Sequence, residues 1–236
     1  MALEVSLTAT PLSTRTAYLW QCLTTGLQTM DSEATSTFVE AGRSWPTGLR
    51  QYHHHWRRIN GGKRRCEEAW SQRLGQLLVG GGLVAQAEGR GRNGYPPYAL
   101  PVGKRWQKCD LRVSLSSTLD FWLEVKGAWP VVFDAGTGGG MVPRVWGRHQ
   151  SYFLDETVED LRKLDRLRQP EASAIGLLLI SFDHELASLD ALLPRVAEDF
   201  RAWTLYDHSR WREPHYGTDV GVRLYLKQVG TALLNA

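Results

Sequence analysis

The sequence has little cysteine, no long apolar run and no internal repeat. Three cysteines among 236 residues, Cys22, Cys66 and Cys109, do not make a disulfide framework, and no pair has the CxxC spacing of a metal knuckle. That usage suits a reducing compartment, so a cytoplasmic protein is expected. The first residues lack a basic start followed by an apolar stretch, and no secretory signal is read there. The longest apolar stretch, Ala174 to Phe182, falls far short of the roughly 20 residues that cross a bilayer, so no membrane partner is expected. No G-x-S-x-G elbow is present, which removes the usual setting for Ser/His/Asp catalysis. The glycines at 136, 138, 139 and 140 are followed by neither a lysine nor a helix start, which argues against a phosphate-cradling loop. They suit a mobile loop over a groove instead.

What is present allows a packed core, since 42% of the residues are hydrophobic. The length suits one domain over 1–236. It divides into an N-terminal helical elaboration at 1–62, a core at 63–185 and a C-terminal helix and strand at 186–236. The formal net charge is only +3, but it is unevenly spread. Between Ala41 and Arg65 stand Arg43, Arg50, Arg57, Arg58, Lys63, Arg64 and Arg65 with no acid among them. Between Gly89 and Arg112 stand Arg90, Arg92, Lys104, Arg105, Lys108 and Arg112 against Asp110 alone. Such blocks suit a polyanion, and they equally suit solvated surface.

Periodicity supplies the elements. A helix is expected from about Thr14, capped by Ser13, and another through the His-bearing basic segment, stopping at Asn60-Gly61-Gly62. A third runs from about Arg64 to Val79. Its residues Cys66, Trp70, Leu74, Leu77 and Leu78 fall in one arc of about 120°, counting 100° per residue. Glu67 lies inside that arc and Glu68 on the polar side. Strands are expected at Leu83–Ala87, Asp110–Leu115, Phe121–Val125, Ala174–Phe182 and Val220–Val229. The Ala174–Phe182 run is continuously apolar, as in a central strand buried on both faces. Residues 127–152 read as an irregular loop. Helices follow at about Asp155–Arg168 and Leu186–Trp203, with Pro194 able to break the latter. Helix, three strands, helix, strand, helix, strand predicts an α/β fold around one mixed sheet.

The chemistry concentrates in Asp110 and, after thirteen intervening residues, Glu124-Val125-Lys126. Side chains alternate along a strand, so Glu124 and Lys126 share a face while Val125 points into the core. If Asp110–Leu115 pairs antiparallel with Phe121–Val125, Asp110 and Glu124 reach neighbouring strand ends beside a lysine. Two such carboxylates repel unless a cation relieves them. A divalent ion with oxygen ligands does so, and bridged to a phosphate it can activate water and neutralise the leaving oxygen. A surface Glu124–Lys126 pair with Asp110 in a turn remains the plain alternative.

This arrangement resembles the PD-(D/E)xK nuclease superfamily, whose fold is restriction-endonuclease-like. Asp110 matches the first acid, Glu124 the second and Lys126 the lysine. Glu67 looks like the acid that the first core helix supplies in many members. The resemblance covers about residues 64–183 and departs at Cys109, which stands where the name has proline. It implies an α/β fold with an α-β-β-β-α-β core, its central mixed sheet flanked by helices. It also implies a Mg²⁺- or Mn²⁺-dependent endonuclease acting on DNA. Asp110, Glu124 and Glu67 would hold metal, and Lys126 would serve the water and the transition state. Arg57, Arg58, Lys63, Arg64, Arg90, Arg92, Lys104 and Arg105 are the expected backbone-binding residues. A non-catalytic nucleic-acid-binding or assembly protein on the same fold is the alternative, and a homodimer or larger complex stays open.

His53-His54-His55 make a poor first shell for a metal, because adjacent side chains diverge. Phosphate contact or plain surface suits them better. Trp106, Trp129 and Trp146 lie near the expected site in sequence and suit base stacking or core packing alike. Cys109 reads as a packed cysteine rather than a nucleophile.

Overall fold

The computed structural model describes residues 12–34, 37–40, 43–46, 48–61, 65–87, 109–116, 119–135, 141–165, 173–213 and 217–228. Helix α1 (Leu12–Glu33) leads into a small hairpin of β1 (Thr37–Glu40) and β2 (Arg43–Pro46). A 3-10 turn at Leu49–Gln51 precedes α2 (Tyr52–Asn60), which stops at Gly61 with φ 69°, the left-handed conformation that glycine adopts freely. Then follow α3 (Cys66–Gly80), β3 (Val84–Ala87), β4 (Leu111–Ser116), β5 (Leu119–Ala128), β6 (Val131–Ala135), β7 (Met141–Val145) and α4 (Gly147–Asp165). The chain continues through β8 (Ser173–Asp183), the single turn α5 (Leu189–Leu192), β9 (Thr204–Arg212) and β10 (Asp219–Gln228).

The fold is α/β, with a mixed central sheet of six strands in the order β3-β4-β5-β8-β10-β9. β5 and β8 run parallel, and the other neighbours are antiparallel. The parallel pair needs a crossover, and α4 lies within it. Side-chain alternation splits β5 and β8 between two cores. Phe121, Leu123, Val125, Leu178, Ile180 and Phe182 face α1 and α3, meeting Leu23, Leu27, Trp70 and Leu74. Trp122, Ala128, Ile175, Leu177 and Leu179 face α4 and α5, meeting Phe153, Leu161, Leu164 and Leu189. β8 is therefore buried on both faces, as its unbroken apolar run predicts.

Three expectations are corrected. Residues 127–152 are not an irregular loop. β5 runs on to Ala128, β6 and β7 pair as a hairpin from Val131↔Val145 to Ala135↔Met141, and α4 begins at Gly147, well before Asp155. The glycines at 136–140 lie outside the described residues. No long helix spans 186–203: α5 gives way to a 3-10 turn at Leu193–Val196, where Pro194 sits at the start and cannot donate to a longer helix. β9 is a strand that the apolar pattern does not announce, because it is an edge strand with alternating exposure and polar residues throughout.

β8 leaves no room at Gly176. A Cβ there would stand 2.7 Å from Leu123 Cδ2 and 2.9 Å from Leu226 Cδ2. We expect Gly176→Ala to lower stability by about 1–3 kcal/mol. Gly80→Ala, whose Cβ meets nothing within 4 Å, should change it by less than about 1 kcal/mol. Urea melts of the two variants check this, and equal midpoints would contradict the packing described.

Candidate active site at the end of strand β5

The site forms where β5 outruns its neighbour. β4 pairs with β5 only as far as Leu111↔Leu123, while β8 follows β5 to Ala128 on the other edge. One step along the β4 register brings Asp110 level with Glu124. Carboxylates replace the missing strand. Asp110 Oδ2 accepts the Val125 N–H at 2.8 Å, and Glu67 Oε1 accepts the Gly127 N–H at 2.9 Å. Two acids from different elements are thus pinned to alternate amides of one strand.

Helical phase delivers Glu67. Trp70, Leu74 and Leu78 of α3 are buried, and Cys66 and Leu77 pack partly against the same core. Glu67 shares that side, whereas Glu68 turns back to accept the Arg65 N–H at 3.4 Å. Gly127 allows the close approach, because a Cβ there would collide with the rings of Trp129 and Trp70. Those rings stack with centroids 5.5 Å apart, and Trp129 also stacks on Phe182 at 5.9 Å. Trp129 is core packing.

Glu124 and Lys126 share the face turned to α4. That helix contributes Glu156, Asp160 and Lys163, spaced i, i+4 and i+7 along the flank of the stripe that buries Phe153, Leu161 and Leu164. Lys126 Nζ lies 3.3 Å from Glu156 Oε2 and 2.8 Å from Asp160 Oδ2. Lys163 Nζ lies 2.9 Å from Asp160 Oδ1 and 2.8 Å from Glu124 Oε1. The result is a row of alternating charge, Glu156–Lys126–Asp160–Lys163–Glu124. Asp110 and Glu67 lie close enough to be coupled to it electrostatically.

Burial dominates the acids. It pushes Asp110 up to about 7, against the Val125 N–H and Lys163. It pushes Glu124 to about 7, against Lys163. Burial also raises Glu67, with Lys126 and the Gly127 N–H opposing. At Asp160 burial acts upward too, but Lys163 and Lys126 together hold it below the usual carboxylate range. Burial works against the charge on Lys126, yet Glu67, Asp160 and Glu156 outweigh it and hold its pKa above the ordinary lysine value. Lys163 is held high in the same way by Glu124 and Asp160. Among the described residues, no group of three His, Cys, Asp or Glu side chains stands ready to hold a metal ion.

The four residues singled out from the sequence, Glu67, Asp110, Glu124 and Lys126, all come to this strand end. Glu156, Asp160 and Lys163 were missed. Their i, i+4, i+7 spacing was visible, but a charged helix face ordinarily reads as solvated. Of the basic residues, Arg57 and Arg58 are exposed at the end of α2. Lys63, Arg64, Arg90, Arg92, Lys104 and Arg105 lie outside the described residues, as does Trp106.

Two arginines counted in the basic blocks serve the fold instead. Arg50 is buried, donates to the Val131 carbonyl, and lies 5.0 Å from the Phe133 centroid and 5.6 Å from that of Phe182. Arg112 pairs with Asp120 and lies over Trp122. The histidine run is not plain surface: His55 is buried, and burial with His54 alongside lowers His53 to about 4, leaving it neutral at pH 7. Cys109 is buried in the core facing α4, and burial holds its thiol protonated.

Asp110 and Glu124 titrate near 7 in the fold and near 4 in an unfolded chain. A raised carboxyl pKa favours the folded state while the group is protonated, so that stability is present below about pH 4 and lost as pH rises through 7. We expect the metal-free protein to lose roughly 1–3 kcal/mol more than Asp110→Asn between pH 5 and pH 8. Comparing the two proteins cancels His53 and the other shared titrations. Parallel stability curves would place Asp110 in water.

Compared with protein-family models, with curated proteins and with solved structures, the chain matches none, so a functional reading stands on this geometry and on the residues themselves.

Proposed function

We propose that this protein is a divalent-metal-dependent nuclease that hydrolyses phosphodiester bonds in DNA, with its active site at the end of β5. One observation carries the reading: Glu67, Asp110, Glu124 and Lys126, from three separate segments of the chain, meet where β5 loses its β4 partner. The topology supports it. Apart from the β6–β7 hairpin inserted after β5, α3, β3, β4, β5, α4 and β8 follow the α-β-β-β-α-β order of the restriction-endonuclease-like core, with two antiparallel pairings and then a parallel one. DNA as substrate, and endonucleolytic action, come from the resemblance to the PD-(D/E)xK superfamily.

The donor set suits Mg²⁺ or Mn²⁺ in chemical type. It offers oxygen alone, and five carboxylates outnumber the two ammonium groups of Lys126 and Lys163. Asp110 and Glu124 would hold the ion, and Glu67 would complete the set only after side-chain rearrangement, because among the described residues the acids do not stand as a ready metal group. When bound, the metal supplies an acidified water and a polarised phosphoryl oxygen. Lys126 stays protonated, since its carboxylate partners raise its pKa. It is therefore a poor proton acceptor and serves as a fixed positive charge beside the phosphoryl oxygens. Glu67, raised by burial, is the better proton acceptor. The exposed Arg57 and Arg58 suit phosphate contacts.

One observation favours a second reading, a non-catalytic nucleic-acid-binding or assembly protein. The lysines already neutralise Glu124 and Asp160. Catalysis separates the two. Plasmid, linear and single-stranded DNA and RNA are incubated with Mg²⁺, Mn²⁺ or chelator. We expect metal-dependent DNA cleavage that falls by about 10²-fold or more in folded Lys126→Ala and Asp110→Ala. Glu67→Gln should lose activity and Glu68→Gln should keep it. Wild-type turnover in folded Lys126→Ala would end the nuclease assignment.

A further inference from the structure

The nuclease reading leaves Lys163 without a part, although its ammonium joins Asp160 of α4 to Glu124 of β5. It lies 2.8 Å from Glu124 Oε1 and 2.9 Å from Asp160 Oδ1. It also acts on Asp110 through space, opposing the effect of burial there. Lys126 is seated differently: both of its ion-pair partners, Glu156 and Asp160, belong to α4. Of the two lysines, Lys163 is the one paired directly with an acid on β5. A divalent ion on Asp110 and Glu124 would therefore meet a positive charge already in place.

We propose that Lys163 is a built-in counter-ion that holds the metal position closed, and that a divalent cation binds by displacing its ammonium from Glu124 onto Asp160. The inference rests on the metal-dependent reading of this site. Two like charges cannot share one buried carboxylate without strong repulsion, so metal and ammonium compete for Glu124. The second berth is already built, because Lys163 touches Asp160 in the same arrangement. Its four-carbon stem can swing between the two acids, which a guanidinium fork would do less readily. Competition is reciprocal: whatever weakens the Lys163–Glu124 pair tightens metal binding by the same factor. Lys163 thus acts as a positioning residue that sets the metal concentration at which the site fills. It also ties α4 to β5 until that happens.

Mn²⁺ affinity, measured by calorimetric titration without nucleic acid, tests this. Lys163→Met keeps the stem and removes the charge, and it should bind Mn²⁺ at least tenfold more tightly than wild type. Lys163→Arg keeps the charge and should bind no more tightly than wild type. Equal or weaker binding by folded Lys163→Met would overturn the proposal. If that variant does not fold, the Lys163 ammonium resonance of ¹⁵N-labelled wild type is followed during a Mg²⁺ titration. It should shift as the site saturates, and an unchanged resonance at saturation would overturn the proposal. Metal-dependent cleavage with no gain in Lys163→Met affinity removes the counter-ion role and leaves the nuclease reading standing. Tighter Mn²⁺ binding by Lys163→Met without cleavage by wild type does the reverse. No Mn²⁺ binding by any of the three proteins removes both.

Discussion

The structure turns on two backbone amides. Val125 and Gly127 lie on β5 beyond the point where β4 stops, with β8 on the other edge. An amide buried there without a partner would be costly. Asp110 and Glu67 meet that need with carboxylates, and in doing so they are drawn against the strand that carries Glu124 and Lys126. A shortfall in sheet pairing is thus converted into a cluster of acids. The tight packing of Trp70, Trp129 and Phe182 behind Gly127 keeps the strand end from moving away.

Once gathered, the acids set the electrostatics of everything near them. Burial favours the protonated carboxyl, while each lysine favours the carboxylate. At Asp110 and Glu124 burial wins, and at Asp160, which touches both lysines, the lysines win. The cluster is therefore divided into groups that titrate near neutrality and a central one that remains charged. α4 is bound to β5 chiefly by charge at this end and by the packing of Phe153 and Leu161 in the apolar cluster that holds Trp122 of β5.

Much of the site was legible in the sequence. Period two on β5 puts Glu124 and Lys126 on one face, and period 3.6 on α3 separates Glu67 from Glu68. Both rules work here because the residues that fix the phase, Val125 between Glu124 and Lys126 and Trp70 near Glu67 on α3, are plainly apolar. The α4 contribution was not legible in the same way. Glu156, Asp160 and Lys163 sit among other charged residues, and nothing local distinguishes an ion pair buried against a strand end from one in water. The basic blocks misled in part. Arg50 and Arg112 carry the charge expected of phosphate contacts but spend it on the Val131 carbonyl, on Asp120 and on aromatic rings. β9 escaped because an edge strand has no continuous apolar face to reveal it, and the β6–β7 hairpin because glycines crowd the segment between its strands.

The proposed nuclease activity requires that the acids at the end of β5 hold a divalent metal. Anomalous diffraction at the manganese edge, from crystals grown with Mn²⁺, tests it most directly. An anomalous peak in contact with the carboxylates of Asp110 and Glu124 is expected. Mn²⁺ bound elsewhere on the protein, with no peak at the end of β5, would contradict it.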